Sequence, residues 1–172
     1  MNSDKTATAV FLQLPIIYID TIETLQKIGN DPAYSLNGVY QLSNDIDASG
    51  TASWNSGLGF APIGTYANPF TGSFDGQGYV ISKLTINRPT DGYVGLFGRI
   101  ASSAQLNNVY LNGGAVAGNS GVGGLVGEGA GGTISRCYAT GLVRGSDTVG
   151  GLVGRSVGGI TISECFSTAP VY

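Results

Sequence analysis

Apolar residues along this chain come in short runs broken by glycine and small polar residues, and the runs repeat. Val122-Gly123-Gly124-Leu125-Val126-Gly127 returns 27 residues later as Val149-Gly150-Gly151-Leu152-Val153-Gly154. Thr133-Ile134-Ser135-Arg136-Cys137-Tyr138-Ala139-Thr140 returns 28 residues later as Thr161-Ile162-Ser163-Glu164-Cys165-Phe166-Ser167-Thr168. The extra residue falls in the Gly-rich turn around 157–160, where an insertion is best tolerated. Weaker copies lie upstream. Val94-Gly95-Leu96-Phe97-Gly98 shortens the first motif, and the strands beginning at Leu106 and Ile81 match the second at spacings of 28 and 25. A period of this length, made of β-branched runs and glycine turns, predicts one coil of a parallel β-solenoid per repeat.

Stacking the copies predicts side-chain columns. Ile81, Leu106, Ile134 and Ile162 form one; Leu84, Val109, Cys137 and Cys165 the next; Ile86, Leu111, Ala139 and Ser167 a third. The last two are two residues apart, the period of a strand, and are expected to face inward. Between them Thr85, Tyr110, Tyr138 and Phe166 make an outward, mostly aromatic column. Arg136 and Glu164 share another outward column and could pair across coils.

Upstream, Asp20-Thr21-Ile22-Glu23 reads as a capping box, opening a short amphipathic helix that stops at Gly29-Asn30 and covers the first coil. A strand over 39–42 then begins the coils, and 43–78 is a longer, less regular coil. The expected fold is all-β: a parallel β-helix (β-solenoid) of about five coils with a short N-terminal capping helix. Residues 20–172 form this domain and residues 1–19 an extended arm. Within the arm, 6–19 alternates around Val10, Leu12, Leu14 and Ile16, a strand signal. Two readings stand: a strand packed along its own solenoid, or an assembly strand added to the open last coil of a neighbour, which would build a filament. The second reading draws on the position of Tyr172, directly after a repeat strand with no polar capping element.

Composition narrows the function classes. Charged residues are 11%, against about 25% in an ordinary soluble domain. Net charge is −3 with no Lys/Arg cluster, so no nucleic-acid partner is expected. No apolar run reaches the ~20 residues of a spanning helix, so no membrane insertion is expected either. An export signal, if one exists, is expected outside this sequence, because 10–19 lacks a basic start and a cleavage site. Histidine is absent, which removes Ser-His-Asp and Cys-His catalysis and every His-ligated metal.

The motif Gly-Leu-hydrophobic-Gly at 95–98, 124–127 and 151–154, with the Ile-Ser-x-Cys-Tyr/Phe strands, resembles the GLUG repeat. Upstream, Tyr40-Gln41-Leu42-Ser43-Asn44-Asp45-Ile46-Asp47, Trp54-Asn55, Pro62-Ile63-Gly64 and the stretch from Phe70 to Gly76 resemble the segment that often precedes those repeats. The resemblance covers roughly 20–172. It implies a β-helix in a bacterial secreted or cell-surface protein, adhesin-like, and a repeat also found beside the zinc domain of immunoglobulin-A-cleaving metallopeptidases. It carries no catalysis to this chain, since the zinc chemistry belongs to a separate, histidine-bearing domain. Residues 1–19 match nothing in the family, and 95–98 lacks the doubled glycine.

Candidate sites are few. Cys137 and Cys165, on adjacent coils about 5 Å apart, suit either a core thiol pair or a disulfide. Asp45 and Asp47, with Asn44 and Ser49, offer oxygens for calcium, the one cofactor the residues suggest; turn and capping roles are the preferred explanation. Asp45, Asp47 and Asp75 are the carboxylates from which a glycan-cleaving pair would be drawn, although nothing basic or aromatic recurs beside them. Trp54, Tyr66 and the Tyr110–Tyr138–Phe166 column could stack on sugar rings or simply brace neighbouring strands. The expected function is a non-catalytic structural or adhesive module. Its expected partners are further copies of itself, other surface proteins, or host and matrix glycans.

Overall fold

The computed structural model describes residues 14–172. The chain winds as a β-solenoid whose strand pairs are parallel throughout. The longest ladder holds Ile16–Ile19, Val39–Leu42, Ser73–Asp75, Phe97–Asn107 and Val126–Ser135, then Val153–Ser156 and Thr161–Ser163, both paired with Val126–Ser135. A second ladder stacks five strands: Ile46–Asp47, Val80–Ser82, Tyr110–Asn112, Tyr138–Ala139 and Phe166–Ser167. The third has three, Thr85–Asn87, Ala115–Ala117 and Leu142–Arg144, and marks the three coils that are complete on every face. A fourth pairs Ser120–Gly123 with Asp147–Gly150, and Val94 bridges to Val122 above it.

The short strands of the second and third ladders alternate, with one side chain of each pointing inward. Ile81, Leu111 and Ala139 are buried in the second ladder, as are Ile86, Val116 and Val143 in the third. Three consecutive coils turn the same corner through one left-handed residue: Asn108, Arg136 and Glu164. A single residue at positive φ swings the strand direction without a loop, so the coil stays short. At 157–160, the turn expected to absorb the extra residue, the long ladder breaks between Ser156 and Thr161.

The upstream columns differ from the expected ones. Ile81 pairs with Leu111, not Leu106, whose partner is Phe74. Ile86 pairs with Val116, and the aromatic column continues upstream through Val80 rather than Thr85. Leu84 is inward but belongs to the next corner, where its carbonyl accepts from Ala115 N–H. The cause is coil size. Registers advance by 35 residues from Ile46 to Ile81 and 30 from Ile81 to Leu111, before settling at 28 between Leu111 and Ala139. Wider coils need bulkier filling, and the core there is aromatic: Tyr40, Phe60, Phe70, Phe74 and Phe97 are fully buried. The ring centroids of Phe70 and Phe74 lie 5.0 and 5.6 Å from that of Phe97.

Ile16–Ile19 is the first strand of the long ladder, in register with Val39–Leu42. The helix that follows is Ile22–Gln26, capped by Thr21, whose hydroxyl accepts from Thr24 N–H; the Asp20/Glu23 box is not used. Ile22 and Leu25 enter the core. The side-chain amide of Gln26 clamps Ala61 in both directions, donating to its carbonyl (3.0 Å) and accepting from its N–H (2.7 Å).

Candidate functional site

The Gly-Leu-hydrophobic-Gly turns join the fourth ladder to the long one, and their glycines let the two backbones touch. A Cβ on Gly127 would fall against the Tyr93 carbonyl carbon and 2.5 Å from Val94 N. One on Gly154 would strike Val122 N and lie 2.6 Å from its carbonyl carbon, and one on Gly98 would lie 2.5 Å from Gly64 O. The leucine of each motif points into the core, fully buried at Leu96 and Leu125.

The residue after each closing glycine forms a column absent from the sequence-based candidates: Arg99, Glu128 and Arg155, in register on three rungs. Glu128 is only 2% exposed. Its Oε1 lies 2.8 Å from Arg99 Nε and its Oε2 3.5 Å from an Arg155 terminal nitrogen. The Arg99 Nε–H is not aimed at Oε1, so the contact is an ion pair rather than a well-aligned hydrogen bond. Arg99 also donates to Tyr66 O and lies 4.3 Å from that ring's centroid. The signal was in the sequence: three ionisable residues of alternating sign, each one step beyond a motif.

Tyr110, Tyr138 and Phe166 stack with centroids 4.6 and 5.3 Å apart, an outward brace between coils. Arg136 does not meet Glu164. Its Nε donates to Asn108 Oδ1 (2.8 Å), and Asn108 Nδ2 in turn donates to Asp75 Oδ1 (2.9 Å), a polar ladder over three coils.

Cys137 and Cys165 are free thiols with the same role one coil apart. Val109 N–H donates to Cys137 Sγ (3.4 Å) and Cys137 N–H to Cys165 Sγ (3.3 Å), so each sulfur satisfies a backbone group of the coil before it. Burial pushes the Cys137 thiol up to about 12, against a smaller opposite pull from the Val109 N–H. In native protein at pH 8, iodoacetamide is expected to label the half-buried Cys165 and to spare Cys137 until the chain is unfolded. Peptide mass spectrometry reads the difference, and equal labelling of both would show the coil open at Cys137. Burial likewise raises the Tyr40 hydroxyl to about 12. Folded values above unfolded ones mean the unfolded chain releases protons first as pH rises. Stability is therefore expected to be intact below about pH 9 and to fall between about 9 and 12, by up to ~1.4 kcal/mol per pH unit per group. Urea titrations at stepped pH check this, and Cys137→Val should flatten the onset.

The carboxylates raised for calcium or catalysis are spent on backbone. Asp45 Oδ1 accepts from Val80 N–H on the next coil, Asp47 Oδ1 from Ser49 N–H, and Asp75 Oδ1 from Gln77 N–H. The Ser49 bond holds the Asp47 carboxyl below its usual range. Among the described residues no three His, Cys, Asp or Glu side chains gather as a metal site.

Of the expected assembly strand, Val10 and Leu12 lie outside the described residues, while Leu14 and Ile16 are exposed at the first rung. At the other end, Ile162 is 47% and Phe166 57% exposed, where Ile134 one coil earlier is fully buried. Among the described residues no helix is long and apolar enough to cross a membrane.

Residues 118–143, about one coil, match the family described as the GLUG motif. Over 125 residues, 72% of this chain, the sequence is 47% identical to halomucin of Haloquadratum walsbyi, and the match spans 1% of halomucin. Over 93 residues, 54% of the chain, it is 39% identical to a provisionally named Gly-rich membrane protein of Evansella cellulosilytica, spanning 11% of it. The chain thus covers a small share of the curated relatives it matches. A solved structure provisionally assigned as an immunoglobulin A1 protease of Bacteroides ovatus aligns with 88% of this chain and 67% of its own, at 19% identity and a TM-score of 0.37. The chain thus carries a GLUG motif at 118–143, and the Gly-Leu-hydrophobic-Gly turn of that stretch recurs at 95–98 and 151–154 on the neighbouring coils.

Proposed function

We propose that this chain is a non-catalytic structural module of a secreted or cell-surface protein, acting through a stiff stack of coils that spaces and displays its faces, including for adhesion. The observation that carries it is the parallel pairing of each coil with the next on three ladders, in a chain whose halomucin match covers so little of halomucin. Each coil buries its own apolar column against its neighbours, so length is gained without new design. Duplicating one coil tests this. Residues 118–144 copied in tandem after Arg144 keep register, since Ala117 pairs with Arg144 and Ser120 with Asp147. The longer chain is expected to fold at least as stably and to lengthen by about 4.8 Å in X-ray scattering. A molten or aggregated product would overturn the reading.

A second reading, end-to-end self-assembly with a second copy, is favoured by the exposed apolar residues of the rung at Ile162 and Phe166 and by Arg155, which is 45% exposed there. Light scattering across concentrations decides it: a constant mass of 17.5 kDa would sink it, and growth into fibres would support it.

A further inference from the structure

The irregular coil, 43–78, carries a feature that stacking alone does not require. Two open clefts of about 340 and 360 Å³ adjoin at Asn30 and Ala61, which line both, along a trough beside the N-terminal helix. That is the size range of small-molecule sites. We propose that this trough binds a neutral oligosaccharide, with Trp54 as its main stacking platform.

Aromatic rings stand at both ends. Trp54 lines the first cavity, and its ring stacks at 6.5 Å and 24° on Phe60, which is fully buried. That backing fixes the indole while leaving it on the trough wall. Tyr66 and Tyr93 line the second cavity, stacked at 5.7 Å. A pyranose ring has a flat face of C–H bonds that packs on such rings and an edge of hydroxyls that both donate and accept.

Between the aromatics the wall offers matching groups. Asn30 and Asn55 each donate their amide N–H to a backbone carbonyl, Gln26 O (2.8 Å) and Gly59 O (2.7 Å). Among the described residues no donor reaches either amide oxygen, so both are available to sugar hydroxyls. Arg88 and Asp91 neutralise one another at 3.4 Å. The trough therefore carries no net charge, which favours a neutral sugar over an acidic one.

The platform is also held in advance. Gln26 locks Ala61 on the trough floor from both sides. Directly after Trp54, Asn55 and Ser56 both adopt left-handed backbone (φ 51° and 58°), and Tyr93 does the same (φ 59°) at a corner that the next coil fills with Gly121. An aromatic residue at positive φ is costly, and such strain gathers where a side chain must be aimed.

Trp54 is the only tryptophan, so its emission reports occupancy directly. Cellohexaose, chitohexaose, xylohexaose and mannohexaose are titrated into the intact chain, with hexagalacturonate as the charged control. At least one neutral hexasaccharide is expected to shift Trp54 emission saturably below about 10 mM, in the weak millimolar range or tighter. By calorimetry Trp54→Ala and Tyr66→Ala should each weaken that sugar about tenfold or more, the effect of losing roughly one stacked ring. Trp54→Phe should stay within a few-fold, and Tyr110→Ala, on a different ladder, should change nothing. Tyr66 is 62% exposed, so its variant carries the test even if Trp54→Ala fails to fold. The proposal is overturned if no neutral sugar shifts the emission, if hexagalacturonate binds better, if both Trp54→Ala and Tyr66→Ala bind as the parent does, or if Tyr110→Ala is the variant that loses binding. The coil-duplication experiment reads the structural role independently, so either reading can fail alone.

Discussion

Gly127→Ala is expected to destabilise the chain by about 3 kcal/mol or more, because overpacking against fixed backbone is among the costliest single changes. The added carbon would meet Tyr93 and Val94 main-chain atoms, which cannot step aside as a side chain would. Gly127 itself is not in a left-handed conformation, so the loss would come from close approach and not from φ. Gly154→Ala meets the same contact one coil later, against Val122, but in a rung with half-exposed neighbours. It should lose less, because that rung can shift. Gly50→Ala, with nothing within 4 Å of the new carbon and no positive φ, should change stability by no more than ~0.5 kcal/mol. Urea unfolding of the three variants orders them. A Gly127→Ala loss below about 1 kcal/mol would mean that the two ladders slide apart easily, and the reason offered for the motif's final glycine would be wrong.

That contact also explains why the motif reads so clearly in sequence. A backbone-to-backbone approach admits one residue type, so glycine marks it on every coil, and the columns through Ile134, Cys137 and Ala139 follow at a nearly constant period. Upstream the same reasoning fails for a physical reason. The coil widens, aromatic residues take over the inward positions, and Phe74 rather than Ile81 answers Leu106. Apolar pattern alone does not report how wide a coil is. The trough was illegible for a different reason. Asn30, Trp54, Tyr66 and Tyr93 belong to four separate segments that only the winding brings together. Trp54 and Tyr66 stood out as aromatics in polar surroundings, but nothing in their spacing joins them. The Arg99–Glu128–Arg155 column, by contrast, was legible and overlooked, because charges beside a repeat are usually solvated.

Glu128→Leu is expected to destabilise by about 3 kcal/mol, the usual order for removing one partner of a buried ion pair. The loss is not a measure of attraction in the native column. It comes mainly from Arg99, whose side chain is only 18% exposed and would keep its charge without a counterion. Arg155, 45% exposed, can turn to water and should contribute little. The two arginines therefore separate in a double-mutant cycle. Arg99→Met in the Glu128→Leu background should restore most of the lost stability, because an apolar pair replaces a stranded charge. Arg155→Met in that background should restore almost none. Arg99→Met alone is expected to be harmful too, since it leaves Glu128 only the longer contact with Arg155 and gives up the stacking on Tyr66. Chemical denaturation of the set at low and high salt gives the coupling energies. If Glu128→Leu costs under ~1 kcal/mol, or if Arg155 rather than Arg99 carries the coupling, water reaches the column and the carboxylate is not sealed between the rungs.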